Sequence, residues 1–170
     1  MKTHARIFLF LFTLCAFCCC GNQKTRMTEC TYVTRGNANL VHKDGNPFTG
    51  TAWSNNGTSS IKCTNGMISS LNGYFSSGKR ALKIQPFGND ATLYWYSLSG
   101  KCIMTQKVIG FFEGESFRMR PTIYDLNGEN EVDFDSPESK KTIDYLQDNG
   151  AQSILQNLIK SFSNELEHVR

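Results

Sequence analysis

Apolar and polar residues alternate along much of the first four fifths of the chain. In three segments this alternation gives one apolar face: Leu82 and Ile84; Leu93 and Trp95; and Phe117, Met119 and Ile123. A period of two residues predicts half-buried antiparallel strands. Between them, the Asn-Gly steps at 56–57, 65–66 and 127–128 supply the positive φ angles that tight hairpins require. The pattern therefore predicts a meandering antiparallel sheet of hairpins over residues 31–135.

The pattern changes to a helical period after residue 135. Ser136 followed by Pro137 is typical of a helix start, and the predicted helix runs to about Asp148, where Asn149-Gly150 ends it. A second helix is predicted from about Ala151 to Val169. Its apolar stripe comprises Ile154, Leu155, Leu158, Ile159, Phe162 and Leu166. We expect this stripe to pack on the sheet. The fold class is mainly β (α+β), with residues 136–170 as a C-terminal helical segment.

A short phrase recurs four times within the predicted sheet. It consists of an aromatic residue, two spacers, Ser or Asn, and Gly, in the segments 53–57, 74–78, 96–100 and 124–128. The glycines at positions 57, 78, 100 and 128 are 21, 22 and 28 residues apart. Such a period indicates repetition of one supersecondary unit. A repeated hairpin favours a binding surface over a catalytic pocket.

The N-terminus has the features of an export signal. Basic residues precede an apolar run over residues 7–17, which is too short to span a bilayer. The run ends in Cys18-Cys19-Cys20, and the composition then becomes polar. This resembles a bacterial lipoprotein signal, which implies a lipid on Cys20. Cys18 and Cys19 are the alternative lipidation sites, and ordinary secretion without a lipid is the alternative to anchoring. We expect a signal peptide over 1–20, a tether over 21–30, and attachment to the cell envelope at the outer membrane.

Charge is distributed unevenly along the mature chain. Residues 20–112 hold ten Lys and Arg against three Asp and Glu, whereas residues 113–170 hold six against twelve. We expect the acidic C-terminal part to pack over or beside the basic sheet. A basic surface also suits nucleic acid, but export argues against that partner.

Catalytic chemistry has few candidates. Only His42 and His168 remain as histidines after the signal, and neither belongs to a recognisable catalytic motif. Cys63 or Cys102 could act as a nucleophile with His42 as its base, but a structural thiol and a solvent-exposed histidine are the more common roles. The acidic segment 125–136 departs from the spacing of a calcium loop. We therefore expect no enzyme activity, no cofactor and no metal.

Three cysteines follow the signal region: Cys30, Cys63 and Cys102. A disulfide is allowed in the envelope, but an odd number leaves at least one thiol free. Cys63–Cys102 is the favoured pair because both lie in strand-like stretches, with buried free thiols as the alternative.

Aromatic and basic side chains supply the candidate binding residues. These are Trp53, Tyr74, Lys79, Arg80, Lys83, Trp95 and Tyr96. Cross-strand packing is the ordinary role of such aromatics. Exposed in a row, they would bind a protein or sugar rings.

Residues 40–106 resemble a known repeat family. The segment 44–51, Asn56-Gly57, Asn65-Gly66, and Tyr74 with Gly78-Lys79 are similar to the bacterial MORN-type repeats of the YwqK antitoxin-like family. The resemblance implies a meandering sheet that binds other molecules and has no catalytic residues. Our hypothesis is a membrane-tethered lipoprotein that binds another protein, as an immunity or antitoxin-like factor. A glycan-binding lipoprotein and an envelope enzyme are the alternatives.

Overall fold

The computed structural model describes residues 24–35, 38–111 and 116–169. Two β-sheets and two C-terminal helices form the domain, and the larger sheet is an antiparallel meander of hairpins. The predicted fold class is confirmed. The predicted signal peptide and the predicted lipidation site, Cys20, lie outside the described residues.

In the described part of the chain, the large sheet has nine strands: β4 (Gly50–Trp53), β5 (Ser59–Thr64), β6 (Met67–Tyr74), β7 (Arg80–Phe87), β8 (Asp90–Tyr96), β9 (Cys102–Ile109), β10 (Phe117–Arg118), β11 (Thr122–Tyr124) and β12 (Glu131–Val132). Their order in the sheet is β12-β11-β9-β8-β7-β6-β5-β4, and β10 pairs with β9. From β4 to β9, each strand pairs antiparallel with its neighbour in sequence. The alternating pattern and the short turns therefore produce the predicted meander.

The four copies of the recurring phrase adopt the same turn. In each copy the glycine N–H donates to the carbonyl oxygen three residues earlier, at 2.8–3.0 Å. The φ angles of the four glycines lie between +68° and +87°, where side chains with a Cβ are disfavoured. The repeated sequence thus encodes a repeated turn.

A small sheet contains β1 (Thr31–Arg35), β2 (Ala38–Lys43), β3 (Asn46–Pro47) and β13 (Glu167–Val169), in the order β13-β1-β2-β3. Strand β13 runs parallel to β1, with Thr31 opposite Glu167. The prediction that the second helix continues to Val169 is wrong. Leu166 is extended and buried, so the chain leaves the helix there and pairs with β1.

Helix α1 (Pro137–Asp148) begins at Ser136, whose Oγ accepts a hydrogen bond from the Ser139 N–H at 3.1 Å. Helix α2 (Ala151–Glu165) follows after Asn149 and Gly150. Both helices pack on one face of the large sheet. Gly73 in β6 permits this approach, because a Cβ there would lie 2.7 Å from Ile154 Cγ2.

The described part of the predicted tether, residues 24–30, is folded onto the domain. Met27 lies in a 3-10 helix (Met27–Glu29) and is fully buried, and Cys30 is buried as well. The carbonyl oxygen of Thr25 accepts a hydrogen bond from Trp53 N at 2.8 Å. The tether prediction is therefore wrong for residues 24–30, because Met27 supplies apolar surface to the core.

Candidate functional site

The two faces of the large sheet differ in what covers them. On one face, which we call the covered face, Leu71, Ile84 and Leu93 pack beneath Leu155 and Leu158 of α2. The opposite face, which we call the open face, presents a row of side chains that runs across seven strands. The strand registers place in this row Trp53, Ser60, Asn72, Lys83, Tyr94, Thr105 and Thr122.

The open face combines aromatic rings with cations. The rings of Trp53 and Tyr74 stack, with centroids 5.1 Å apart. Lys83 Nζ lies 5.3 Å from the centroid of Tyr94, and the Arg80 guanidinium lies 5.9 Å from that of Tyr96. These distances are typical of cation–π contacts. In the two central strands, β7 and β8, Tyr94 and Tyr96 of β8 therefore each have a positive charge from β7 beside the ring.

A further cation–π contact lies at the β4 edge of the sheet. Lys24 Nζ lies 4.8 Å from the centroid of the Trp53 ring. Burial raises the pKa of Tyr96, on the central strands, above its ordinary value. The side chains of Trp53 and Tyr96 are both half-buried.

A polar cluster lies beneath the stacked rings. The hydroxyls of Tyr74 and Ser60 are 3.0 Å apart, and Asn72 Nδ2 donates to Ser60 Oγ at 3.4 Å and to Ser70 Oγ at 3.2 Å. Asn72 is only 4% exposed, and its Oδ1 has no hydrogen-bond partner in the described part of the chain. Buried amide oxygens are normally paired. The cluster fixes the Tyr74 hydroxyl and leaves one acceptor unsatisfied.

The open face is basic on balance. The strand registers place on it four basic residues, Lys62, Arg80, Lys83 and Lys107, and two acidic ones, Asp90 and Glu131. Lys107 Nζ is 3.5 Å from Asp90 Oδ2, so that pair is locally neutralised.

The acidic C-terminal segment does not cover this basic surface. Helix α2 packs on the covered face through Ile154, Leu155 and Leu158. Helix α1 lies over the same face, where Ile143 and Leu146 line a pocket with Trp95. The charge distribution predicts that the acidic part packs over or beside the basic sheet. Its helices do lie over the sheet, but on the covered face and not on the face that carries the basic residues. Among the residues that the structure describes, neither helix therefore lies over Arg80 and Lys83.

The structure brings together five of the seven predicted binding residues. Trp53, Tyr74, Arg80, Lys83 and Tyr96 lie on the open face. Sequence reasoning did not select Ser60, Asn72 and Thr105 for this face. Their polar side chains alternate with apolar ones along their strands, and this alternation could have predicted that they lie on the face opposite the core.

Two predicted residues lie elsewhere. Trp95 is 6% exposed and belongs to the core on the covered face, so its assignment to a binding surface is wrong. Its neighbour Tyr94 occupies the open face instead, because successive side chains in a strand point to opposite faces. Lys79 lies in a turn, where its Nζ donates to the Leu98 carbonyl oxygen at 2.8 Å.

The cysteine arrangement corrects the favoured disulfide. Cys63 is in β5 and Cys102 is in β9, four strand spacings or ~19 Å apart. A disulfide requires Cα atoms within about 7 Å. The Cys63–Cys102 prediction is therefore wrong. Burial raises the pKa of the Cys63 thiol to about 12, with a smaller contribution from Cys30.

A cavity of about 360 Å³ lies between α2 and the covered face. Its lining is mostly apolar, and Arg118 is the one charged residue among the described side chains that line it. The lining offers no carboxylate, imidazole or thiol within the described ranges. Nor does the structure, across these ranges, bring three or more His, Cys, Asp or Glu side chains together as metal ligands.

Comparisons with known proteins give no match to a family model, a curated protein or a solved structure. The resemblance to MORN-type repeats thus stays a prediction. Neither helix in the described part of the chain is long and apolar enough to cross a membrane.

Proposed function

We propose that this protein is a membrane-anchored lipoprotein whose open face binds an acidic surface of another protein. The observation that carries this proposal is a basic and aromatic sheet face that both C-terminal helices leave open. Tyr, Trp and Arg are the residue types enriched at the energetically important centres of protein interfaces. Arg80, Lys83, Tyr94 and Tyr96 form such a group on the central strands.

The geometry favours an acidic partner for electrostatic reasons. Arg80 and Lys83 face the tyrosine rings and are not engaged in any of the three ion pairs that the described residues form. Lys83 Nζ also donates a hydrogen bond to Gln85 Oε1 at 2.9 Å, but that amide oxygen carries no charge. A carboxylate-bearing surface would supply the opposite charge for both cations. Complementary charge also accelerates encounter and makes it sensitive to salt.

The anchor and the biological role rest on the sequence. The apolar run that ends in Cys20 supports lipidation at that residue and attachment to the bacterial envelope, with the outer membrane as the expected site. The resemblance to antitoxin-like repeats supports an immunity or antitoxin-like role. Palmitate labelling of the wild type and of Cys20→Ser tests the anchor: label that survives in this variant and disappears in Cys18→Ser or Cys19→Ser contradicts the choice of Cys20.

A second candidate function is glycan binding. Trp53, Tyr74, Tyr94 and Tyr96 lie on the solvent side of the sheet, where aromatics would stack on sugar rings. However, Lys24, Arg80 and Lys83 occupy positions beside three of these rings. Cations at the ring faces compete with stacking by a sugar, so we place protein binding first.

Chemical crosslinking and pull-down from native envelopes test the proposal. The wild type should recover one stoichiometric protein partner, and Arg80→Glu with Lys83→Glu should abolish the recovery. The matched control is Lys140→Glu with Lys141→Glu, which reverses the same number of exposed charges on α1 and should bind normally. Clear binding to a glycan array without any protein partner would favour the second candidate.

A further inference from the structure

The folded domain begins very close to the proposed anchor. Only residues 21–23 separate Cys20 from Lys24, the first described residue. From there the chain is fixed to the sheet, since Thr25 O accepts from Trp53 N at 2.8 Å and Arg26 forms a parallel bridge with Trp53. The inference that follows rests on the proposed lipidation of Cys20.

This short connection limits how the domain can sit on a membrane. Four residue steps span at most ~14 Å between the Cα atoms of Cys20 and Lys24. A domain of roughly 150 residues is about 40 Å across, from its expected radius of gyration. The end of the domain that carries Lys24 must therefore lie nearest to the bilayer.

That end has the chemistry of a membrane interface. We call it the anchor edge and define it as Lys24, Arg26, Trp53, Lys62 and Tyr74. Lys24 and Lys62 are exposed, and the stacked rings of Trp53 and Tyr74 are half-buried. Trp and Tyr are enriched at the level of lipid headgroups, and basic side chains are attracted to anionic lipids.

The nearby acidic groups already have partners. Glu29 pairs with Lys43 at 2.7 Å, and Glu165 Oε2 accepts a hydrogen bond from Asn55 N at 2.7 Å. Lys24 and Lys62 take part in none of the ion pairs among the described residues. Glu165 keeps its negative charge, because an amide N–H does not neutralise a carboxylate. The three cations Lys24, Arg26 and Lys62 outnumber it, so the anchor edge carries net positive charge.

We propose that the anchor edge rests on the headgroup region of an anionic bilayer, with Trp53 at the level of the glycerol backbone. In this orientation the β4 edge of the sheet is nearest to the membrane, and the open face points parallel to the membrane plane. Strands β7 and β8 are three and four strand spacings from β4, or ~14–19 Å. Arg80, Lys83, Tyr94 and Tyr96 then stay accessible to a partner beside the membrane.

The test uses the full-length lipidated protein in phosphatidylglycerol-containing vesicles, with lipids brominated near the glycerol end of the acyl chains. Bromine quenches nearby tryptophan fluorescence. The wild type should lose a third or more of its emission. Trp53→Phe, which leaves only the buried Trp95, should lose less than a tenth and serves as the matched control.

A charge variant tests the headgroup contact. Lys24→Glu should reduce the quenching about twofold, whereas Lys160→Glu, which changes an exposed residue of α2, should leave it unchanged. Mass spectrometry of Cys20 and flotation of the protein with vesicles separate the two proposals. A lipidated, vesicle-bound protein without Trp53 quenching overturns the orientation alone, and so does a crosslink from residue 53 to a protein partner. A chain without lipid on Cys20 overturns the anchor and, with it, this orientation.

Discussion

The glycines of the recurring turn give a stability prediction with an internal control. Gly78 and Gly128 occupy equivalent places in two copies of the phrase, with φ of +79° and +68°. A Cβ at Gly78 would meet no heavy atom within 4 Å, whereas a Cβ at Gly128 would lie 2.7 Å from the Cys102 carbonyl oxygen. Alanine should therefore cost more at Gly128 than at Gly78.

The magnitudes follow from two contributions. The left-handed conformation costs an alanine about 1–2 kcal/mol at either position. The backbone collision at Gly128 adds about 1–3 kcal/mol, which is the usual cost of overpacking. The effect of alanine on the unfolded chain cancels in the comparison. Gly128→Ala should thus be about 2 kcal/mol less stable than Gly78→Ala, or ~4–8 °C lower in Tm for a domain of this size.

Urea and thermal unfolding of the soluble domain, followed by circular dichroism, measure this difference. Both variants must unfold in a single transition with a similar dependence on urea for the comparison to apply. Equal destabilisation of the two variants would refute the reasoning, because it would mean that Cys102 does not approach residue 128.

Other predictions concern a helix cap, the thiols and one carboxylate. Ser136→Ala removes the hydrogen bond to the Ser139 N–H and should lower the free energy of unfolding by about 1 kcal/mol in urea titrations; an unchanged urea midpoint would argue against the cap. In the folded protein, Cys63 should react with a thiol reagent at pH 7 far more slowly than Cys102, and peptide mapping should find no disulfide between them. Hydrogen bonds, chiefly from the Glu129 N–H, lower the pKa of Asp125, so its ionised form stabilises the fold above the ordinary aspartate pKa. This stabilisation is lost as pH falls through the lowered value, and the urea midpoints of wild type and Asp125→Asn should therefore converge in acid; a constant difference would contradict the assignment.

Local patterns predicted the large sheet and the start of the helices. The two-residue alternation of apolar and polar side chains predicted the strands, and the glycines at 57, 78, 100 and 128 predicted the turns. Both signals depend on only a few neighbouring residues. The Ser136 cap is equally local. These features required no knowledge of distant contacts.

Long-range pairing could not be predicted in the same way. Leu166 continues the apolar stripe of α2 at helical spacing, so the pattern extended the helix through residues that instead pair with Thr31 and its neighbours in β1. Likewise, Trp95 and Tyr96 were both predicted to bind a partner, although adjacent residues of a strand point to opposite faces. Which face the helices cover depends on tertiary packing, and that packing assigned Trp95 to the core.

The most direct test of the proposed function is to determine which face of the sheet meets the partner. A photo-crosslinking amino acid is placed at Thr105, which lies next to Tyr94 on the open face, or at Gln156, which is exposed on α2. Both anchored proteins are irradiated in native envelopes. We predict one strong protein adduct from position 105 and none from position 156. An adduct from position 156 alone would contradict the assignment of the open face as the binding surface.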